Sequence, residues 1–132
     1  MKGLTVGVFD VFHLGHLRML KKAKKYCDNL IVAVHNDKLN SKNVEFAYTL
    51  EERMEIVAAI KYVDQVIPYD RVDLIIREVD FDIFLYGPDQ AHKYFQQAFS
   101  WCTENNKKIT MLERTKGISS TMLRKVLSAK EV

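Results

Sequence analysis

Cysteine is scarce in this 132-residue chain: Cys27 and Cys102 are the only two, too few and too far apart for a disulfide framework or a thiolate metal site. No apolar run approaches the ~20 residues a membrane helix needs, and the first residues carry no signal-peptide pattern. The expectation is a protein of the reducing cytoplasm, with no membrane insertion. Repeats, low-complexity tracts and an interdomain linker are also missing. Residues 1–132 therefore read as one domain with one core and no separate regulatory module. Charge of one sign is weak as well. A formal net charge of +3 suits small anions but is too diffuse to argue for nucleic acid. Arg18, Lys21, Lys22, Lys24 and Lys25 crowd one helix and read as a solvated face.

What the chain does have is a dense run from Val6 to His16, Val-Gly-Val-Phe-Asp-Val-Phe-His-Leu-Gly-His. Thr5, Val6, Val8 and Phe9 make a short apolar segment that ends at Asp10. Leu14, Leu17, Leu20, Ala23 and Cys27 then repeat at helical spacing, and Cys27 reads as a core thiol. This is a buried strand, a tight turn and an amphipathic helix with His13 and His16 at its entrance. A helix start offers free N–H groups and the positive end of the dipole, so phosphate is its natural ligand. Two imidazoles there can donate to phosphate oxygens, and the small Gly15 lets a nucleotide approach the backbone.

Strand-like and helix-like segments alternate along the rest. Strands are predicted at about Leu4–Phe9, Asn29–His35, Val63–Pro68, Asp82–Gly87 and Lys108–Glu113. Helices are predicted at about Leu14–Cys27, Leu50–Lys61, Val72–Val79, Ala91–Asn105 and Ser119–Ala129, with a Thr49/Glu52 capping box on the second and Ser119 capping the last. Leu30–Val34 and Ile83–Tyr86 are continuous apolar runs, the pattern of strands covered on both faces. The fold class is α/β, with a parallel sheet and helices on both sides. Ligands of such sheets bind beyond the strand C-termini, near the switch point of strand order. Asp10, Asn36-Asp37, Gly87-Pro88-Asp89 and Arg114 all follow strands directly. Asn36–Ala47 is the longest connection without periodicity and carries Lys38 and Lys42.

His13-Leu14-Gly15-His16 resembles the HxGH signature of the nucleotidyltransferase superfamily. A hundred residues on, Arg114-Thr115-Lys116-Gly117-Ile118-Ser119-Ser120-Thr121 resembles the RTxGIST motif of cytidylyltransferases. The two motifs stand in the right order at opposite ends of the chain, and the resemblance is closest to the bacterial glycerol-3-phosphate cytidylyltransferases. It implies a Rossmann-like five-stranded parallel sheet in the order 3-2-1-4-5. The implied reaction is attack by an alcohol phosphate, glycerol 3-phosphate first among them, on the α-phosphorus of CTP. The products are a CDP-alcohol and pyrophosphate, and Mg²⁺ or another divalent cation accompanies CTP. Such a nucleophile is already an anion, so alignment and well-placed donors suffice.

The resemblance also implies roles. His13, His16, Lys42 and Arg114 are the catalytic residues it points to. Val8, Phe9, Asp10, Gly15 and Arg53 are implied nucleotide contacts, as are Gly87 and Asp89. Arg114, Thr115, Gly117 and Ile118 complete the set with Ser119, Ser120 and Thr121 at the start of the last helix. A homodimer is implied too, and Phe95, Phe99 and Trp101 at near-helical spacing suit either a core or such an interface.

Plainer roles stand beside several of these. One histidine can serve as a polar cap on the helix start. Asp10 either orients a cation or caps the turn before the first helix. Lys42 is either a cation closing over the triphosphate or a solvated loop residue. Arg53 is either near the nucleotide or in a surface ion pair. Lys61 stands where relatives often carry arginine, and a lysine loses the bidentate fork. Pro88 replaces a carboxylate expected before Asp89. His35 and His92 belong to no motif and read as structural or surface residues. Tyr69-Asp70-Arg71 lacks a tryptophan common in the glycerol-3-phosphate enzymes, which leaves the acceptor open. An adenylyltransferase acting on a sugar phosphate or FMN, and a catalytically silent nucleotide-binding protein, are the alternatives.

Overall fold

The computed structural model describes residues 1–36 and 46–113. Along the chain run β1 (Lys2–Gly7), α1 (Leu14–Lys24), β2 (Asn29–His35), α2 (Leu50–Ala58), β3 (Gln65–Tyr69), α3 (Val72–Glu78), β4 (Ile83–Tyr86), α4 (Lys93–Glu104) and β5 (Lys108–Met111). The strands form one sheet in the order β3-β2-β1-β4-β5, and each neighbouring pair is parallel. This is the order the sequence implied. The helix expected at Ser119–Ala129 lies outside the described residues.

Side-chain alternation explains why both faces are covered. Leu4, Val6, Ile31, Ala33 and Phe84 point to one face, where they pack with Val72 and Ile76 of α3 and Phe95, Ala98 and Cys102 of α4. Leu30, Val32, Val34, Ile83 and Leu85 point to the other, against Leu20 and Ala23 of α1 and Val57 of α2. Strands buried on both sides read as unbroken apolar runs for this reason. Phe95 is buried, while Phe99 and Trp101 pack against the same core. The aromatic stripe of α4 is therefore covered in part by the chain's own interior, with Phe99 and Trp101 left partly exposed.

Element ends differ from expectation where local chemistry intervenes. β1 stops at Gly7, two residues early, because the backbone turns left-handed at Phe9 (φ 56°) and again at Val11 (φ 50°). α1 ends at Lys24, where a turn from Tyr26 N–H to the Ala23 carbonyl breaks the helix before Cys27. Cys27 is half-buried beneath Gly3 rather than on the helix stripe, and Leu14 at the stripe's start is exposed. α2 begins as predicted: Thr49 Oγ1 accepts from Glu52 N–H at 3.2 Å, and Glu52 Oε1 accepts from Thr49 N–H at 3.0 Å. Pro68 sits in β3, an edge strand, where a missing donor is tolerated. Among the described residues no helix is long and apolar enough to cross a membrane.

Candidate active site

The turn after β1 carries the first half of the site. Phe9 folds back so closely that a Cβ at Gly7 would meet its ring at 2.8 Å, so only glycine fits beneath it. His13 is the N-cap of α1: its Nδ1 accepts from Gly15 N–H at 3.0 Å. His16 answers one turn on, its Nδ1 accepting from the backbone N–H of His13 at 3.2 Å. The pair forms a capping box made of imidazoles, and the rings stack with centroids 3.9 Å apart. Phe9 and Phe12 pack against the His16 ring at 5.5 and 5.3 Å. Burial above all, then the neighbouring His13, pushes the His16 pKa down to about 4. An Nδ1 that accepts a hydrogen bond leaves the ring proton on Nε2. Capping and phosphate donation thus use opposite nitrogens of the same ring, and neither role excludes the other.

Asp10 lies in that turn. Its side chain crosses to the entrance of α2, where Oδ2 accepts from Ala47 N–H at 2.9 Å and Oδ1 from Tyr48 N–H at 3.1 Å. It is 3% exposed. Arg53 is buried completely, at 0% exposure, so the surface ion pair is ruled out. Its Nη1 donates to the carbonyls of Val8 (2.9 Å) and His35 (2.8 Å), and its Nε to that of Tyr48 (3.2 Å). The guanidinium also lies over the Phe46 ring, 4.8 Å from its centroid. Among the described residues, no group of three or more His, Cys, Asp or Glu side chains is placed to hold a metal ion.

Between β1 and β4 the strand order reverses, and ligands of open α/β sheets bind in the crevice outside such a point. The two strands pair only at Gly3–Ile83 and Leu4–Phe84. Beyond that register Gln90 bridges them: its Nε2 donates to the Val6 carbonyl at 2.7 Å, and its Oε1 accepts from Gly87 N–H at 3.0 Å. Gly87 faces open space, since a Cβ there would meet nothing within 4 Å. Asp89 is exposed beside it, and Val8 is exposed at the end of β1.

The fold therefore brings Val8, Phe9, Asp10, His13, Gly15 and His16 together with Gly87 and Asp89 at the C-terminal edge of the sheet. Lys61 does not join them. It follows α2 at the opposite edge, where Asp64 accepts from Leu30 N–H at the start of β2 and pairs with Lys24. His35 ends β2 edge-on to Tyr69 at 5.1 Å, and burial lowers its pKa below the usual imidazole value. His92 caps α4, its Nδ1 accepting from Tyr94 N–H at 3.3 Å. Both histidines thus make contacts that hold an element end in place. Gln90 was not anticipated; nothing in local periodicity marks a glutamine whose partners lie on another strand. Lys42, Arg114, Thr115, Gly117, Ile118, Ser119, Ser120 and Thr121 lie outside the described residues.

Comparison with known proteins agrees with this architecture. A family model described as cytidylyltransferase-like matches residues 4–126. The glycerol-3-phosphate cytidylyltransferase of Bacillus subtilis (strain 168) is 32% identical over 131 residues, which span 96% of this chain and 97% of that enzyme. An FAD synthase of Thermococcus kodakarensis is 38% identical over 92 residues, 66% of this chain and 62% of its own length. Among solved structures, the lipopolysaccharide core biosynthesis protein of Thermoplasma volcanium superposes with a TM-score of 0.73 at 26% identity, covering 89% of this chain and 98% of that one. With the family model spanning nearly the whole sequence and relatives aligned end to end, this chain belongs to the cytidylyltransferase-like family of nucleotidyltransferases.

Proposed function

We propose that the protein transfers a cytidylyl group from CTP to an alcohol phosphate, glycerol 3-phosphate being the acceptor of first choice. The observation that carries the reading is the imidazole capping box. Both Nδ1 atoms are spent on backbone amides, so both rings hold their proton on Nε2, at a helix start that already favours phosphate. An oxygen of the acceptor phosphate attacks the α-phosphorus of CTP; a new P–O bond forms while the bond to the β-phosphate bridging oxygen breaks, and pyrophosphate leaves. No base is needed to ionise the nucleophile. The rings act as neutral donors to phosphate oxygens whose charge grows in the transition state.

Val8, Phe9 and Gly15 form the backbone floor for the nucleotide in this proposal, with Gly87 and Asp89 across the crevice. Asp10 and Arg53 support that floor from beneath. From the motif resemblance, Lys42 and Arg114 supply cations to the phosphates, and Thr115, Gly117, Ile118, Ser119, Ser120 and Thr121 take the nucleotide at the other end. The described residues do not themselves build a cation site. Mg²⁺ enters as part of the CTP substrate, neutralising its triphosphate.

The identity to glycerol-3-phosphate cytidylyltransferases over the full length favours this acceptor. A second reading, adenylyl transfer to a flavin mononucleotide, draws on the higher but shorter identity to FAD synthases. A panel of CTP and ATP against glycerol 3-phosphate, other polyol and aminoalcohol phosphates and FMN, read by pyrophosphate release, separates them. A higher kcat/KM for CTP with an alcohol phosphate supports the first reading. Preference for ATP with FMN replaces it with the second.

A further inference from the structure

The turn that delivers His13 and the two ends of the 37–45 connection meet on one buried cation. Val8 precedes the turn, His35 ends β2, and Phe46 and Tyr48 lead into α2; Arg53 donates to the first, second and fourth and covers the third. Asp10 grips the same α2 entrance from inside the turn, through Ala47 and Tyr48. Phe9 and Val11, on either side of Asp10, both have positive φ, a conformation that a β-branched residue such as valine strongly resists. A turn strained at two positions persists only where its surroundings over-determine it, and here it is gripped at Val8 and at Asp10.

We propose that Arg53 is a positioning residue for the transfer reaction: together with Asp10 it staples the strained turn to the ends of β2 and α2, and so fixes where His13 and His16 present their Nε2 protons. Burying a whole guanidinium is costly, and an apolar side chain would fill the same volume more cheaply. What only arginine supplies is a rigid fork that reaches carbonyls from separate segments at once. Lysine, with a single ammonium, cannot span them. The kinetic part of this inference rests on the cytidylyl-transfer reading; its structural part does not.

The test uses the full chain without nucleotide, with ¹⁵N signals of the His13 and His16 rings as readout. Arg53→Lys keeps the positive charge, and Asp10→Glu keeps the carboxylate charge that acts on His16 while displacing its grip on Ala47 and Tyr48. The staple requires that both variants move the Nδ1 and Nε2 signals of the two rings, and that kcat falls about 10²-fold, the scale for an ångström of misplacement. KM for CTP changes less than kcat. Cys102→Ala, buried in α4 on the opposite face, serves as the destabilised control and should lower the melting temperature without moving those signals. Should Arg53→Lys fail to fold, Asp10→Glu gives the same readout. Unmoved ring signals in the folded variants, or wild-type kcat in Arg53→Lys, overturn the proposal. If the signals move as expected but the wild-type chain transfers no cytidylyl group, the staple stands and the proposed reaction falls.

Discussion

His13 and His16 stack ring on ring, 3.9 Å between centroids, while each spends its Nδ1 on an amide of the same helix start. The arrangement makes each histidine a helix cap while leaving its Nε2 for the phosphate donation proposed above. It also couples the site to the fold, because removing either ring removes a cap.

Replacing His13 or His16 by alanine should lower turnover by at least ~10²-fold, the scale for loss of one preorganised donor. Each change should also cost about 1 kcal/mol of stability, the usual price of a lost N-cap. Steady-state kinetics and urea melts on the same samples check both. Near wild-type turnover in either variant, with CTP and the true acceptor, would end the donor assignment.

The low pKa of His16 has a consequence for stability against pH. The unfolded ring titrates near 6.5, whereas the folded one holds out to about 4, so the unfolded state binds the extra proton between those values. The contribution of His16 is therefore complete above about pH 6.5 and is lost as pH falls toward 4. Urea midpoints measured from pH 7 to pH 4 should decline more steeply in the wild type than in His16→Asn, which has no ring to titrate. Parallel slopes would show that the ring is not held neutral.

Gly87→Ala separates fold from ligand. The added methyl meets nothing within 4 Å, so the melting temperature should stay close to wild type. If the nucleotide passes over Gly87 as proposed, KM for CTP should rise. An unchanged KM would move the nucleotide off this part of the crevice.

Gln90→Ala leaves the Val6 carbonyl and the Gly87 N–H without their side-chain partner at the point where β1 and β4 part. Each orphaned group costs about 1–3 kcal/mol when buried, less where water reaches it. Lower stability and faster amide exchange at Gly87 are expected. A variant with wild-type stability and exchange would show that the bridge is dispensable.

Much of this protein is legible in its sequence. Unbroken apolar runs such as Leu30–Val34 determine strands covered on both faces, since a strand with one wet face alternates. The Thr49/Glu52 pair sets the start of α2, and the spacing of His13 and His16 places both rings at the start of α1. These signals are local: partners lie within a turn of each other, so order in the chain carries them. Arg53, Asp10 and Gln90 were decided only by the tertiary structure. In sequence Arg53 is one more charged residue in the first turns of a helix, and in the fold it is the most deeply buried cation described. Two of its carbonyl partners, Val8 and His35, are brought together by parallel pairing of β1 and β2, and a carbonyl looks the same at every residue. Side-chain periodicity records which face a residue covers; which distant backbone group it satisfies is set only when the strands align.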